Sequence, residues 1–169
     1  MIIHCSRKLA ARLPGVSGQP LHETSALGSW HGHLFTIDRR QCVMFCHDLS
    51  RYCLFIPGIR KEHFAELGGK WFRQLFLATL ESIGCAANQI RRAELIMGPV
   101  RFDTTTDRSV QGSINVARRD LEAWAMHVSN VMDTDPIAVS CRLNERPSSA
   151  RGELLWPERL MRETVQGLS

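Results

Sequence analysis

Three consecutive residues, Cys46, His47 and Asp48, carry the side-chain types of a nucleophile, a base and an orienting acid. Their adjacency argues against a triad, because neighbouring strand residues point to opposite faces and catalytic groups converge from distant positions. The segment predicts a structural thiol beside a polar turn, with Asp48 capping the turn. Cys42 and Cys46 lie four residues apart, about 13 Å at strand rise, too far for two thiolates on one zinc. His31 and His33, two apart, share a strand face at about 6.6 Å and form an alternative metal site if a third ligand comes from elsewhere. His4, Asp38, His47 and His63 are the candidates for that place. Two partly exposed histidines on a sheet face are the plainer expectation, and no metal or other cofactor is expected.

The other polar stretch with chemical potential is residues 101–113, RFDTTTDRSVQGS, which leads into a strongly periodic helix. Arg101, Thr106, Arg108, Ser109 and Ser113 supply charge and hydroxyls near that helix start, the equipment of an anion or phosphate cradle. It is not a P-loop, since the glycine spacing and the following lysine are missing. Asp103 and Asp107 count against a strongly anionic ligand and suit an ordinary capped loop. A cluster of Arg142, Asn144, Glu145 and Arg146 adds Arg142 to the candidate site if the chain returns beside it. Arg39, Arg40, Arg51, Arg60 and Lys61 form a basic cluster, but the aromatics near them suit a core better than base stacking.

The elements that must position these groups centre on residues 38–58, two apolar runs around a polar break that read as a hairpin. Alternation puts Cys42, Met44, Cys46, Cys53 and Phe55 on one face and Val43, Phe45, Tyr52, Leu54 and Ile56 on the other. Both faces are apolar, so the hairpin must be covered on both sides. Residues 30–37 precede it as a strand and complete a meander over about residues 30–56, while residues 1–5 form a further short strand. Ser6 is placed to cap a helix over residues 7–13. Helical periodicity covers residues 60–83, interrupted at Gly68 and Gly69, and a short helix is predicted over 86–92. The stripe Ile114, Ala117, Leu121, Trp124, Ala125, Val128, Val131 and Met132 marks the clearest helix, with Ser113 as its expected N-cap. Residues 137–143 read as a last strand, 144–152 as a polar loop, and Pro157 as the first turn of a terminal helix ending near Gln166. The expected class is α+β, with several helices on one small, mainly antiparallel sheet.

The 169 residues fit a single domain, 1–169, long enough to bury a core without disulfides or metal. With 44% hydrophobic and 22% charged residues the chain is not disordered. A formal net charge of +4 permits nucleic acid or an acidic ligand as partner without requiring either. Absence of a long apolar run argues against a membrane span, and the basic N-terminal residues do not read as a secretory signal. A cytoplasmic address follows, in which the six cysteines stay reduced.

The segments MIIHCSRKLAARL, LGSWHGHLFTIDRRQCVMFCHD and TDRSVQGS, in this order, resemble an uncharacterised bacterial domain family of unknown function. The resemblance covers about the first 130 residues and implies a small prokaryotic cytoplasmic protein, with no activity, cofactor or catalytic residue to transfer. The resulting expectation is a non-enzymatic binding or regulatory module with a protein or nucleic-acid partner and the possibility of a homo-oligomer. The alternative is a small-ligand binder or enzyme built around residues 101–113 and the helix start that follows.

Overall fold

The hairpin expected at residues 38–58 forms one side of a five-stranded sheet. In the computed structural model, which describes residues 1–127, 130–150 and 152–168, β1 (Ile2–Cys5), β2 (Trp30–Ile37), β3 (Arg40–His47), β4 (Cys53–Ile56) and β5 (Arg101–Asp103) assemble in the order β4-β3-β2-β1-β5. The meander β2-β3-β4 is antiparallel, as expected. β1 runs parallel to both β2 and β5, so the sheet is mixed, with the longer antiparallel ladders in the meander. The cause is the connection: residues 6–29, with the short α1 (Arg7–Ala10), carry the chain back across the sheet before β2 begins. Ser6 caps α1 through the Leu9 N–H.

Alternation along the ribbon divides the interior as predicted. Val43, Phe45, Tyr52, Leu54 and Ile56 join the larger core with Ile3, Leu9 and Trp30. This face is covered by α2 (Arg73–Ser82) and by the turns leading into it, a 3-10 segment (Lys61–Glu66) and a π-helical segment (Leu67–Phe72). Trp30 meets the rings of Phe72 and Phe76 edge-on at 5.0 and 5.3 Å, and Phe45 meets Phe72 at 4.9 Å. Each such buried aromatic is worth roughly 2–3 kcal/mol of apolar transfer. The interruption expected at Gly68 has a steric reason: a Cβ there would sit 2.7 Å from Val100 Cγ1.

Cys42, Met44, Cys46, Cys53 and Phe55 face the second core with Val110, Ile114 and Leu121 of α4 (Arg108–Ala125). α4 begins earlier than the sequence suggests. Asp107 is its N-cap, and Ser113 lies inside the helix. Of the predicted stripe, Val128 lies outside the described residues, and Val131 and Met132 belong to a separate 3-10 turn (Val131–Asp133). α3 (Ala87–Met97) runs longer than expected and leaves only three residues to β5.

The largest departure is α5 (Pro136–Asn144), where a strand was expected. Asp135 caps it through the Ile137 N–H, and Pro136 occupies its first turn. Helical spacing puts Ser140 and Asn144 on one face, where they complete the free edge of β4. Asn144 Oδ1 accepts from the Cys53 N–H at 2.6 Å, and its Nδ2 donates to the Cys53 carbonyl at 2.7 Å. Ser140 Oγ accepts from the Phe55 N–H at 3.0 Å. The sheet edge is thus closed by side chains and is not a template for another strand. The polar stretch after α5 contains a small hairpin, β6 (Ser148–Ala150) and β7 (Glu153–Leu155), with Arg151 outside the described residues. α6 (Pro157–Gln166) ends the fold where expected. No helix among the described residues is long and apolar enough to cross a membrane.

Candidate functional site

Strand pairing builds a row of five chemically active side chains across the sheet. In register from β5 to β4 stand Asp103, His4, His31, Cys46 and Cys53, one per strand, on the face that α4 covers. Asp48, from the turn after β3, reaches over the row. His4 Nδ1 lies 2.6 Å from Asp103 Oδ1. Asp103 is wholly buried and also accepts from the Leu21 N–H at 2.8 Å, the Thr105 N–H at 3.0 Å and Thr105 Oγ1 at 3.1 Å. Burial pushes its pKa up, but the bonds from Leu21, His4 and Thr105 outweigh burial and hold the carboxyl below its ordinary value. An ionised Asp103 with this set of donors requires His4 Nδ1 to carry a proton.

His31 is fixed at both nitrogens. Nε2 accepts from the Asp107 N–H at 3.0 Å, so Nδ1 is the donor to Asp48 Oδ1 at 2.7 Å. Asp48 also accepts from Ser29 Oγ at 2.5 Å. Burial acts upward on Asp48 as well, and the bonds from His31 and Ser29 together with nearby His4 bring its pKa below the usual carboxylate range. His4 Nε2 faces Asp48 Oδ2 at 3.9 Å, beyond hydrogen-bond distance. It is the ring nitrogen in this row that forms no hydrogen bond among the described residues.

His47, adjacent in sequence, points to the opposite face beside Trp30, at 5.1 Å between rings. Its Nε2–H donates to the Leu27 carbonyl at 2.6 Å, and Nδ1 accepts from Ser50 Oγ at 2.8 Å and the Ser50 N–H at 3.2 Å. Burial drives its pKa down to about 4, so it is neutral. Gly28 makes room for it: its φ is +74°, and a Cβ there would lie 3.1 Å from His47 Nε2. Cys46 and His47 therefore never meet a common substrate. The Cys46 thiol, in contact with Cys53 and buried, is held protonated well above the ordinary thiol range.

Of the residues singled out in the sequence, Ser109 and Ser113 come together on α4, where Ser113 Oγ donates to the Ser109 carbonyl at 3.4 Å. Thr106 and Arg108 are exposed beside them. Asp107 Oδ1 accepts from the Ser109 and Val110 N–H groups at 2.7 and 3.2 Å, so the chain's own carboxylate fills the first turn of α4. Arg101 and Arg142 stand apart. Arg101 lines a hollow with Gly69 and Val100 near the start of β5, and Arg142 lines a cleft on α5. His31 and His33 share a face, but both His31 nitrogens are engaged, and half-buried His33 is discharged by burial and by neighbouring His31 and Arg118. Among the described residues no group of three or more His, Cys, Asp or Glu could hold a metal ion.

The sequence places Arg51 only in a basic cluster and gives no sign of its buried role. Arg51 has φ +62°, is 4% exposed, and ties the hairpin turn to α4 by donating Nη1 to the Asp48 carbonyl and Nη2 to Ser109 Oγ at 3.0 Å. The pairing of His4 with Asp103, 99 residues apart, was equally invisible, because only the parallel register of β1 and β5 creates it.

The cleft that Arg142 lines measures about 670 Å³ and lies between the C-terminal part of α4 and α5. Trp124 and Val139 form apolar wall, Arg142 and Arg146 a basic side, and Asp133 and Asp135 an acidic one. Arg146 pairs with Asp120 at 3.1 Å, whereas Arg142 forms no ion pair among the described residues. A second hollow of about 310 Å³ shares Glu145 and brings in Trp156, which is 49% exposed.

No curated protein matches the chain, and no solved structure does. A family model matches residues 2–160, nearly the whole of the fold described above, and on that match the chain belongs to the domain of unknown function DUF6933.

Proposed function

We propose that this chain is a non-enzymatic binding module, one domain working in the cytoplasm, that receives a segment of a partner protein in the cleft between α4 and α5. The carrying observation is that cleft: about 670 Å³ with Trp124 and Val139 beside Arg142, which forms no ion pair among the described residues. Tryptophan and arginine are the residue types that dominate binding energy at interfaces, and Trp156 extends the same chemistry beyond Glu145. The chemically reactive groups support the reading from the other side. His31, His47 and Asp103 are saturated with internal partners, and the buried Cys42 and Cys46 thiols are held protonated. Six free cysteines fit a reducing compartment.

The partner segment offers a carboxylate to Arg142 and an apolar side chain to Trp124. Selection of a displayed random peptide library on the full chain tests this. Enriched peptides are expected to combine an acidic with an aromatic or aliphatic residue and to lose binding in Trp124→Ala and Arg142→Glu. Enriched peptides that bind both variants as well as the parent overturn the assignment.

One observation favours the second reading, a small-ligand protein or enzyme at residues 101–113: His4, held by Asp103, whose Nε2 lies 3.9 Å from Asp48 Oδ2 and forms no hydrogen bond among the described residues. A ligand whose affinity is abolished by His4→Gln yet unchanged by Trp124→Ala selects it.

A further inference from the structure

Cys46 and Cys53 are directly opposite on β3 and β4. Both backbone groups of Cys53 turn away from β3, the N–H to Asn144 Oδ1 at 2.6 Å and the carbonyl to Asn144 Nδ2 at 2.7 Å. The pair is therefore of the class that exchanges no ladder hydrogen bonds. In that class the Cα atoms approach to about 4.5 Å and the side chains lie closest. This falls inside the Cα separation of about 4.4–6.8 Å that a disulfide spans. The two thiols are neighbours on one face of the ribbon: Cys53 is the largest influence raising the Cys46 thiol, and the sulfurs bond main-chain carbonyls, Cys46 that of His47 at 3.8 Å and Cys53 that of Arg51 at 3.4 Å. No other cysteine of the ribbon has such a neighbour, since Cys42 stands opposite Phe35.

We propose that Cys46 and Cys53 are a dithiol site that closes to a reversible cross-strand disulfide by exchange with a low-molecular-weight disulfide. Cys53, on the edge strand and 4% exposed against 0% for Cys46, is the entry point. Its thiol loses a proton to solvent and the thiolate attacks one sulfur of the reagent, which stays bonded to Cys53 as a mixed disulfide; the reagent's S–S bond breaks, and the other sulfur leaves as a thiolate and takes up a proton. Deprotonated Cys46 then attacks the Cys53 sulfur of the mixed disulfide and expels the second thiol. Two protein thiols and one reagent disulfide give one protein disulfide and two small thiols. The gate is the bracket of α5 side chains on β4. With Asn144 and Ser140 in place the pair is sealed, and exchange follows local opening of the edge strand. The bond would pin β4 to β3 directly below the turn that carries Asp48 and Arg51.

The test uses the full reduced chain with oxidised glutathione in native buffer, trapped by alkylation and read by peptide mass spectrometry. The expected product is a Cys46 to Cys53 link, two hydrogens lighter and fully reversed by dithiothreitol. Asn144→Ala is expected to form it at least about tenfold faster, as loss of a buried hydrogen-bonded clamp raises local opening. Unchanged circular dichroism of the oxidised parent keeps the result independent of whether that variant folds. Mixed disulfides confined to Cys85 or Cys141, or a Cys46 to Cys53 link that forms only in urea, overturn the proposal.

Discussion

His47 sets a pH dependence of stability that can be worked through from its surroundings. Its ordinary value is 6.5, and burial lowers it to about 4 in the folded chain. A base whose folded pKa is depressed binds its proton more readily when unfolded. Between pH 6.5 and 4 the unfolded state therefore holds more protons, and stability rises with pH through that window. Above 6.5 the contribution is fully present. A gap of about 2.5 between the two values corresponds to about 3 kcal/mol if the pH falls past both. At pH 5 the expected loss is about 2 kcal/mol relative to pH 7.5. Other groups add to the slope: His33 is also discharged, and the depressed Asp48 and Asp103 lose stability at still lower pH. The comparison with His47→Gln removes them, because they are common to both proteins. The glutamine keeps a donor for the Leu27 carbonyl and loses the acceptor for Ser50, costing about 1–2 kcal/mol at pH 7.5. Urea unfolding at pH 7.5, 6.5, 5.5 and 5.0 then gives two curves that converge by about 2 kcal/mol on acidification. Parallel curves would refute a neutral, buried His47.

Asn144→Ala removes both bonds to Cys53 and strips the cover from the edge of β4. It should cost about 2–3 kcal/mol in denaturant unfolding and raise hydrogen exchange at the Cys53 amide before the rest of the sheet. Asp103→Ala strands the Leu21 and Thr105 N–H groups and the His4 donor, for an expected loss of about 3 kcal/mol. An unchanged midpoint would mean that water replaces the carboxylate without cost. Asp107→Ala removes the α4 cap at a cost of about 1 kcal/mol, with reduced helicity in the far-ultraviolet spectrum as the companion readout.

Alternation was legible in the ribbon because its loop keeps the two strands in phase, and a slip of one residue would have put Cys46 and Phe45 on each other's faces. The parallel pairing of β1 was not legible. IIHC is uniformly buried and carries no mark of direction, and the direction comes from where residues 6–29 return the chain. Residues 137–143 misled because an apolar run of that length suits either a strand or a helix. The deciding signal was Asp135 before Pro136, an N-cap and first-turn pair that outweighs β propensity. Loop residues 101–113 drew attention through their hydroxyls, yet the dense contacts belong to Asp103, Asp107 and Ser109, which face inward to His4, His31 and Arg51.

The two faces of the ribbon solve different problems. On one side, aromatic rings around Trp30 supply the apolar burial that holds the fold. On the other, the sheet has to bury two histidines and a wholly enclosed carboxylate, which contributes little net stability even when each group is paired. What that row supplies is register. His4 meets Asp103 only if β1 and β5 pair in phase, and His31 reaches both Asp48 and the Asp107 amide only if β2, the hairpin turn and the start of α4 are all in place. Arg51 fastens the same turn to α4 by a separate route. A shift of any one strand would leave buried charges and amides without partners, at several kcal/mol each. The row thereby selects one arrangement of a sheet whose apolar residues alone would tolerate others. It also fixes the position of α4, which together with α5 forms the cleft.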